Sequence, residues 1–558
     1  MEIQVKELSV QDQLLLMTMP TSYEISVIAS EEITTISMTE SPAQMFSAHI
    51  IAELAAWGRV FWLAPGARSQ ALAIAAAQVT EAGKANLHVR IDERSLGFGA
   101  LGAAVYGGPQ VIITTSGTAV ANLHPAVLEA HHSGLGLILL TADRPAELRD
   151  KGANQTTNQV GIFADAVIEC IDVPAPTEKD IPRLPQLAKE LVEKAVLLAW
   201  GKRAQPVQLN LQFIEPLSSV TPNAAEVLEE IWAADEKALV EETEDESTFK
   251  LDLTKPTVIV AGANAGSHLA EIESLNLPVF AEPTSGVRHL AASVIGYRTL
   301  LANNFELLNQ IEQVIVYGKP TLSRPIIALL KREDITVFVR EGQMGSFSIG
   351  NEVTKVTELI EGTCSPDWLK AWMSEPDHIG TSSTLDRHAI IAKTWERSPA
   401  DNTILVLGAS QLIREADFCA PRLEVRAWAN RGLSGIDGTI ATATGIAIQE
   451  PVKQVRALMG DLTFLHDVGS LAIDPNDGEL NLQIIVANDN GGKIFSNLEV
   501  AQSVEANMFK RIFQTPQIVY MGKLADAYGW QYVNPKTVEE FESALSLTGR
   551  VVIEVVLD

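Results

Sequence analysis

Two acidic residues at strand ends are the first candidates for chemistry. An apolar run, Gln454–Met459, is followed at once by Gly460 and Asp461, and a second, Leu482–Ala487, ends in Asn488-Asp489-Asn490-Gly491-Gly492. A hard divalent cation such as Mg²⁺ takes octahedral oxygen ligands and usually shares them with a phosphate. Asp461 and Asp489 offer side-chain oxygens, and a carbonyl near Gly491 offers a third because glycine lets the backbone approach closely. Two diphosphate oxygens and a water would complete the shell, so the two loops read as a cradle for a metal and a diphosphate. Asp and Asn after strands are also ordinary turn residues, and the pair alone does not choose between these readings.

A third carboxylate stands earlier in the chain. The run Leu87–Ile91 leads into Asp92-Glu93-Arg94-Ser95 and then the Gly/Ala-rich stretch Leu96–Ala104, whose small residues imply a closely packed helix. Glu93 there either complements the positive end of that helix or is a shielded carboxylate set to hold a proton.

These loops need a scaffold of parallel strands. From Ala43 onward, helix-period stretches alternate with short apolar runs at Arg59–Leu63, Leu87–Ile91, Gln110–Thr114, Leu135–Thr141 and Val207–Leu211. That alternation is the βαβ signature of an α/β fold with a mainly parallel sheet, and ligands bind such sheets at the carboxyl ends of strands. A second unit has strands expected near Thr257–Ala261, Val279–Ala281, Gln313–Tyr317 and Thr336–Val339; a third near Thr403–Leu407, Glu424–Ala427, Gln454–Met459, Leu482–Ala487 and Val551–Val556. The Glu/Ala-rich run Ala224–Glu246 reads as a linker. The expected organisation is an N-terminal extension over 1–40, three successive α/β domains over 41–222, 255–380 and 381–558, and a linker over 223–254. Three units of similar length suggest one fold reused.

Composition narrows the partners. At 558 residues the chain exceeds one hydrophobic core, and 46% hydrophobic with 20% charged residues is an ordinary globular balance. A net charge of -28 argues against nucleic acid or an anionic membrane surface, so any anionic ligand must be held by local cations. The scattered Cys170, Cys364 and Cys419 form no disulfide framework or metal spacing, which fits a reducing cytoplasm. No apolar run has the length of a transmembrane helix, and the acidic first 40 residues do not read as a signal peptide; they are either a disordered extension or an over-long start of the reading frame.

Asp461 and, 27 residues on, Asn488-Asp489 resemble the thiamine-diphosphate motif of Gly-Asp, a spacer of similar length, then Asn-Asn. Asp489 departs from it, keeping an oxygen but adding a charge. Further segments resemble one family, the 2-succinyl-5-enolpyruvyl-6-hydroxy-3-cyclohexene-1-carboxylate synthases of menaquinone biosynthesis: Ala64-Pro-Gly-Ala-Arg-Ser69, Thr115-Ser-Gly-Thr-Ala119, Thr141-Ala-Asp-Arg-Pro145, Gly152-Ala-Asn-Gln155, Asn430-Arg-Gly-Leu-Ser-Gly-Ile-Asp-Gly438 and Asn490-Gly-Gly-Lys-Ile-Phe495. The resemblance runs from about Ala43 to the end. It implies the thiamine-diphosphate-binding fold, thiamine diphosphate with Mg²⁺ or Mn²⁺, and decarboxylation of 2-oxoglutarate with conjugate addition of its succinyl unit to isochorismate. It also implies a homodimer or homotetramer whose sites are shared between subunits.

On that resemblance Glu93 is the catalytic acid that engages the aminopyrimidine, and Asp461, Asp489 and Gly491 hold the metal. Ser410, Ile436, Leu462, Ile494 and Phe495 join them around the cofactor; for the apolar members plain core packing is an equal reading. Both substrates are dicarboxylates, and the matching motifs place Arg68, Arg144, Arg324, Arg414 and Arg431, with Asn154 and Gln155, as their partners, since guanidinium groups suit bidentate carboxylate recognition. Any one of these arginines could instead be a solvated surface residue. The family often has lysine at the Arg324 position and serine at the Ala67 position. Other thiamine-dependent decarboxylases remain as alternatives, but they lack this arginine set. A dinucleotide site at Val258-Ile-Val-Ala-Gly-Ala-Asn-Ala-Gly266 lacks the middle glycine of its fingerprint. A non-catalytic scaffold would not need Glu93 and Asp461 together.

Overall fold

The β-branched and aliphatic runs do form strands, and in a computed structural model they assemble into three sheets. The structure describes residues 41–201, 203–219, 222–234, 251–340, 354–356, 362, 364–373 and 383–557. The extension expected over 1–40 lies outside the described residues.

The first sheet holds β1 (Phe61–Leu63), β2 (Leu87–Val89), β3 (Gln110–Thr114), β4 (Leu137–Asp143), β5 (Cys170–Val173) and β6 (Val207–Gln212), in the order β2-β1-β3-β4-β6-β5. The second holds β7 (Thr257–Ala261), β8 (Val279–Ala281), β9 (Gln313–Tyr317), β10 (Thr336–Arg340) and β11 (Thr354–Val356), in the order β8-β7-β9-β10-β11. The third holds β12 (Ile404–Leu407), β13 (Arg426–Trp428), β14 (Val455–Gly460), β15 (Leu482–Asn488), β16 (Gln531–Val533) and β17 (Arg550–Val556), in the order β13-β12-β14-β15-β17-β16. All strand pairs are parallel. Counted from each unit's own first strand, all three sheets begin 2-1-3-4, so one winding is used three times. Each therefore has a switch point between its first and third strands, where an open α/β sheet offers a ligand crevice.

Central strands β3, β4, β7 and β9 are buried along their whole length, as parallel strands covered by helices on both faces must be. Strands β5, β11 and β16 were not anticipated. Each is a sheet-edge strand of three or four residues, too short for an alternation to register.

The helix Pro42–Ala56 starts with Ser41 as N-cap, whose hydroxyl accepts from Gln44 N, and with proline at the first position, where its missing N–H costs nothing. It buries Phe46, Ile50 and Leu54 in the first core. The stretch read as a linker over 223–254 opens differently: a helix, Ala224–Ala234, packs on Pro42–Ala56 and buries Ala224, Val227 and Leu228 in that same core. Residues 235–250 of that stretch lie outside the described residues.

The first and third units meet along two helices, Glu93–Gly107 and Thr439–Gln449. A Cβ on Gly445 would lie 1.9 Å from the Gly99 carbonyl oxygen, and one on Gly102 would lie 2.1 Å from that of Thr442. Only glycine permits this approach. No helix among the described residues is long and apolar enough to cross a membrane.

Candidate active site

The loops proposed to hold a metal and a diphosphate lie where the third sheet changes direction. Ser410 follows β12, Asp461 follows β14, and Asp489 to Gly491 follow β15. Asp461 begins the short helix Asp461–His466, with Leu462 next to it half-buried, and its Oδ2 accepts from Gly491 N at 2.6 Å. Gly491 has φ +126°, and a Cβ there would come within 2.4 Å of the Gln514 carbonyl oxygen. Backbone alone fits at that position. Both carboxyls, Asp461 and Asp489, are pushed above the usual range by burial, and the charge of Asp489 raises Asp461 further. Two buried acids that resist ionising beside each other are what a divalent cation relieves, so this donor set fits one.

Neighbouring residues shape that cradle. Ser410 caps the helix Gln411–Cys419, its hydroxyl accepting from Leu412 N. Ile494 and Phe495 lie on the 3₁₀ turn Lys493–Asn497, with Phe495 packed 5.8 Å from Phe513 between ring centroids. Half-buried Ile436 sits in the loop before Thr439–Gln449. That loop is gripped by Glu129 of the first unit, whose carboxylate accepts from Gly432 N and Leu433 N at 2.7 Å each.

Glu93 is the first residue of its helix, which Asp92 caps by accepting from Arg94 N and Ser95 N. It is half-buried, and its carboxylate makes no hydrogen bond or ion pair with the described residues. Its neighbour Arg94 donates to the His466 carbonyl at 3.0 Å, and Ser95 bonds Ser470 at 2.7 Å. Within one chain, then, the Glu93 loop touches the end of Asp461–His466 opposite to Asp461.

The arginines fall into two groups. In the first unit Arg144 follows β4 and donates from Nη1 to Ser116 Oγ (2.7 Å) and the Gln155 carbonyl (2.6 Å), while Gln155 donates to the Ser116 carbonyl. Burial and nearby Arg68 lower the pKa of Arg144. Arg68 itself donates to the Phe213 carbonyl and pairs with Glu215 at 3.7 Å. Asn154 is exposed beside this group. The second group joins the central and third units: Arg431 donates to Thr321 Oγ1 (2.9 Å) and to its carbonyl (3.1 Å). Burial and then Arg431, Arg298 and Arg324 lower the pKa of Arg414, so four guanidinium groups share this corner.

Several contributors escaped the sequence reading. Arg298 supports Arg414 by donating to its carbonyl at 3.0 Å. Glu282, just after β8, is buried against Arg431 and accepts from Leu322 N at 2.7 Å; burial and the neighbouring Asp417 push its carboxyl up to about 8. Arg387 pairs with Asp489. Ser116 lay inside a motif but had no assigned role. A carboxylate after a strand was a readable signal for Glu282; Arg298 and Arg387 carried none, since only tertiary contact defines them.

One other group could hold a metal among the described residues: His388, Glu415 and Cys419. His388 is already bonded to Glu415 at 2.6 Å, and burial pushes the Cys419 thiol up to about 12, so a thiolate there is disfavoured. The dinucleotide alternative also fails locally. A Cβ on Gly262 would lie 2.0 Å from Pro320 N, so the loop after β7 is closed against backbone rather than open to a pyrophosphate.

Comparison with known proteins agrees with the geometry. Residues 46–162 match the family described as thiamine pyrophosphate enzyme, N-terminal TPP binding domain, and residues 414–555 match its C-terminal TPP binding domain. The 2-succinyl-5-enolpyruvyl-6-hydroxy-3-cyclohexene-1-carboxylate synthase of Leifsonia xyli is 38% identical over 95% of this chain and 99% of its own length. Proteins of the same name from Clavibacter michiganensis and Kineococcus radiotolerans are 39% and 38% identical, over 87% and 88% of this chain and 90% of each relative. With these relatives spanning nearly all of it, the chain belongs to the 2-succinyl-5-enolpyruvyl-6-hydroxy-3-cyclohexene-1-carboxylate synthase family of thiamine-diphosphate enzymes.

Proposed function

We propose that this transferase decarboxylates 2-oxoglutarate and adds the resulting succinyl unit to isochorismate, with the residues above dividing the work. The observation that carries the substrate reading is the arginine corner. A chain of net charge -28 gathers Arg298, Arg324, Arg414 and Arg431 at one place where strand-end loops of two units meet. Asp417 pairs with Arg298 at 3.5 Å, but Arg324 and Arg414 make no ion pair among the described residues, and dicarboxylates would supply the missing anions.

Asp461, Asp489 and the Gly491 carbonyl would hold Mg²⁺ or Mn²⁺, and through it the diphosphate. When bound, thiamine diphosphate supplies the electron sink for the decarboxylation. Glu93 would hold a proton toward the cofactor's pyrimidine, and Ile436, Ser410, Leu462, Ile494 and Phe495 would line the pocket that holds the cofactor. Arg414, Arg431 and Arg324 bind one substrate's carboxylates, while Arg68 and Arg144, with Asn154 and Gln155, bind the other's.

The functional unit is a homo-oligomer in which Glu93 of one subunit serves the metal loops of another. Exposed apolar residues flank both halves of the site in the single chain: Ile91 (84% exposed) beside Glu93, and Ile512, Ile518 (97%) and Tyr520 beyond the loop that covers Gly491. Surface of that kind is normally buried by a partner. A reducing cytoplasm suits the three free cysteines.

The test is consumption of 2-oxoglutarate by purified protein with thiamine diphosphate and Mg²⁺. It should occur only when isochorismate is present; equal consumption without isochorismate, or none with it, would overturn the assignment. Mixed Glu93→Ala and Asp461→Ala proteins should regain activity on subunit exchange if sites are shared.

A further inference from the structure

Asp489 stands where the thiamine-diphosphate motif has a neutral asparagine, and a second anionic ligand beside a diphosphate needs an answer. In this structure Arg387, the first residue of the helix Arg387–Arg397, ion-pairs with Asp489 Oδ1 through Nη2. Asp386 fixes the start of that helix by accepting from Ala389 N at 2.9 Å. The Asp489 side chain is only 9% exposed, so the pair is not a loose surface contact. Arg387 Nε is buried with no hydrogen-bond partner, which leaves the guanidinium a second donor facing inward.

We propose that Arg387 and Asp489 together replace the motif's neutral asparagine, Arg387 acting as a positioning residue that holds one oxygen of Asp489 and leaves the other for the divalent cation. This deepens the reading of Asp489 as a metal ligand and rests on it. A carboxylate offers two oxygens, one for the guanidinium and one for a metal, where an amide offers a single oxygen, and Asp⁻ with Arg⁺ sums to the amide's zero charge. Lys493 also acts on Asp489, but only through its charge, and comes after Arg387 in effect.

The alternative is that Arg387 competes with the metal for Asp489. The two differ in sign. Arg387→Gln, Asp489→Asn and the double variant would be prepared as full-length protein, and thiamine diphosphate binding measured by titration calorimetry at saturating Mg²⁺, with Mg²⁺ titrated separately. We expect each single change to weaken diphosphate binding about tenfold, from coupling energies usual for close charged pairs, and the double change to recover to within about threefold of the parent. Arg387→Lys, which keeps the charge but loses the fork, should fall between parent and Arg387→Gln. Tighter Mg²⁺ and diphosphate binding by Arg387→Gln would establish competition instead, and strictly additive losses in the double variant would overturn the pairing. Asp461→Ala separates the two levels. If it binds metal and diphosphate like the parent, the cradle itself is misassigned; if binding is lost while the cycle is additive, only the Arg387 proposal falls.

Discussion

Replacing Glu282 by glutamine should change how stability and substrate affinity respond to pH. Glu282 is 1% exposed, faces Arg431, and carries a pKa raised from 4.5 to about 8 by burial and by Asp417. An acid whose folded pKa is raised binds its proton more tightly in the folded state. Its stabilisation is complete below the unfolded value and is lost as pH rises through the folded one. Between pH 6 and 9 that single group should cost roughly 2 to 3 kcal/mol of folding stability, taking about 1.36 kcal/mol per pKa unit and counting only the part of the shift crossed in that interval. Glutamine keeps the acceptor for Leu322 N and removes the titration, so the difference between the two profiles reports Glu282 together with its coupling to Asp417. Urea unfolding at pH 6, 7, 8 and 9 gives the first readout. The second is KM for the dicarboxylate that Arg431 binds: above pH 8 an ionised Glu282 competes for Arg431, so KM for one of the two substrates should rise in the parent and stay flat in Glu282→Gln. Parallel stability profiles for the two proteins would refute a neutral buried Glu282.

Three other outcomes follow from the site. Glu93→Gln should still bind thiamine diphosphate but lose about 100-fold or more in kcat, the usual scale for a removed proton-transfer group, as read by single-turnover kinetics. Gly491→Ala places a methyl 2.4 Å from the Gln514 carbonyl at φ +126°, and backbone strain of about 1–3 kcal/mol should weaken Mg²⁺-dependent diphosphate binding by tenfold or more in calorimetry. Arg431→Lys keeps the charge but loses the fork on Thr321, so KM for the dicarboxylate should rise roughly tenfold with kcat less affected.

Much of the scaffold was legible because parallel strands advertise themselves as short apolar runs, and Asp461 and Asp489 stood out as candidates because their loops end such runs. Arg387 was not legible: it lies 102 residues before its partner, behind an ordinary N-cap, and only folding brings the two together. The protonation of Glu282 was equally hidden, since burial and the Asp417 field arise from a neighbouring unit. The helix Ala224–Ala234 is a different case. Ala224, Val227, Leu228 and Ile231 follow the i, i+3, i+4, i+7 pattern of a buried stripe, but the acidic composition around them dominated the reading.

The glycine crossing between Glu93–Gly107 and Thr439–Gln449 bears on how such chains can recombine. With 1.9 Å between a Gly445 Cβ and the Gly99 carbonyl, each helix is cut to the depth of the other, and any bulk on one side must be matched by a hollow opposite. A chimera taking its first unit from one relative and its third from another inherits two halves of a mould, and it folds only where both parents carry the same hollows. The first and third units are therefore heritable as a pair.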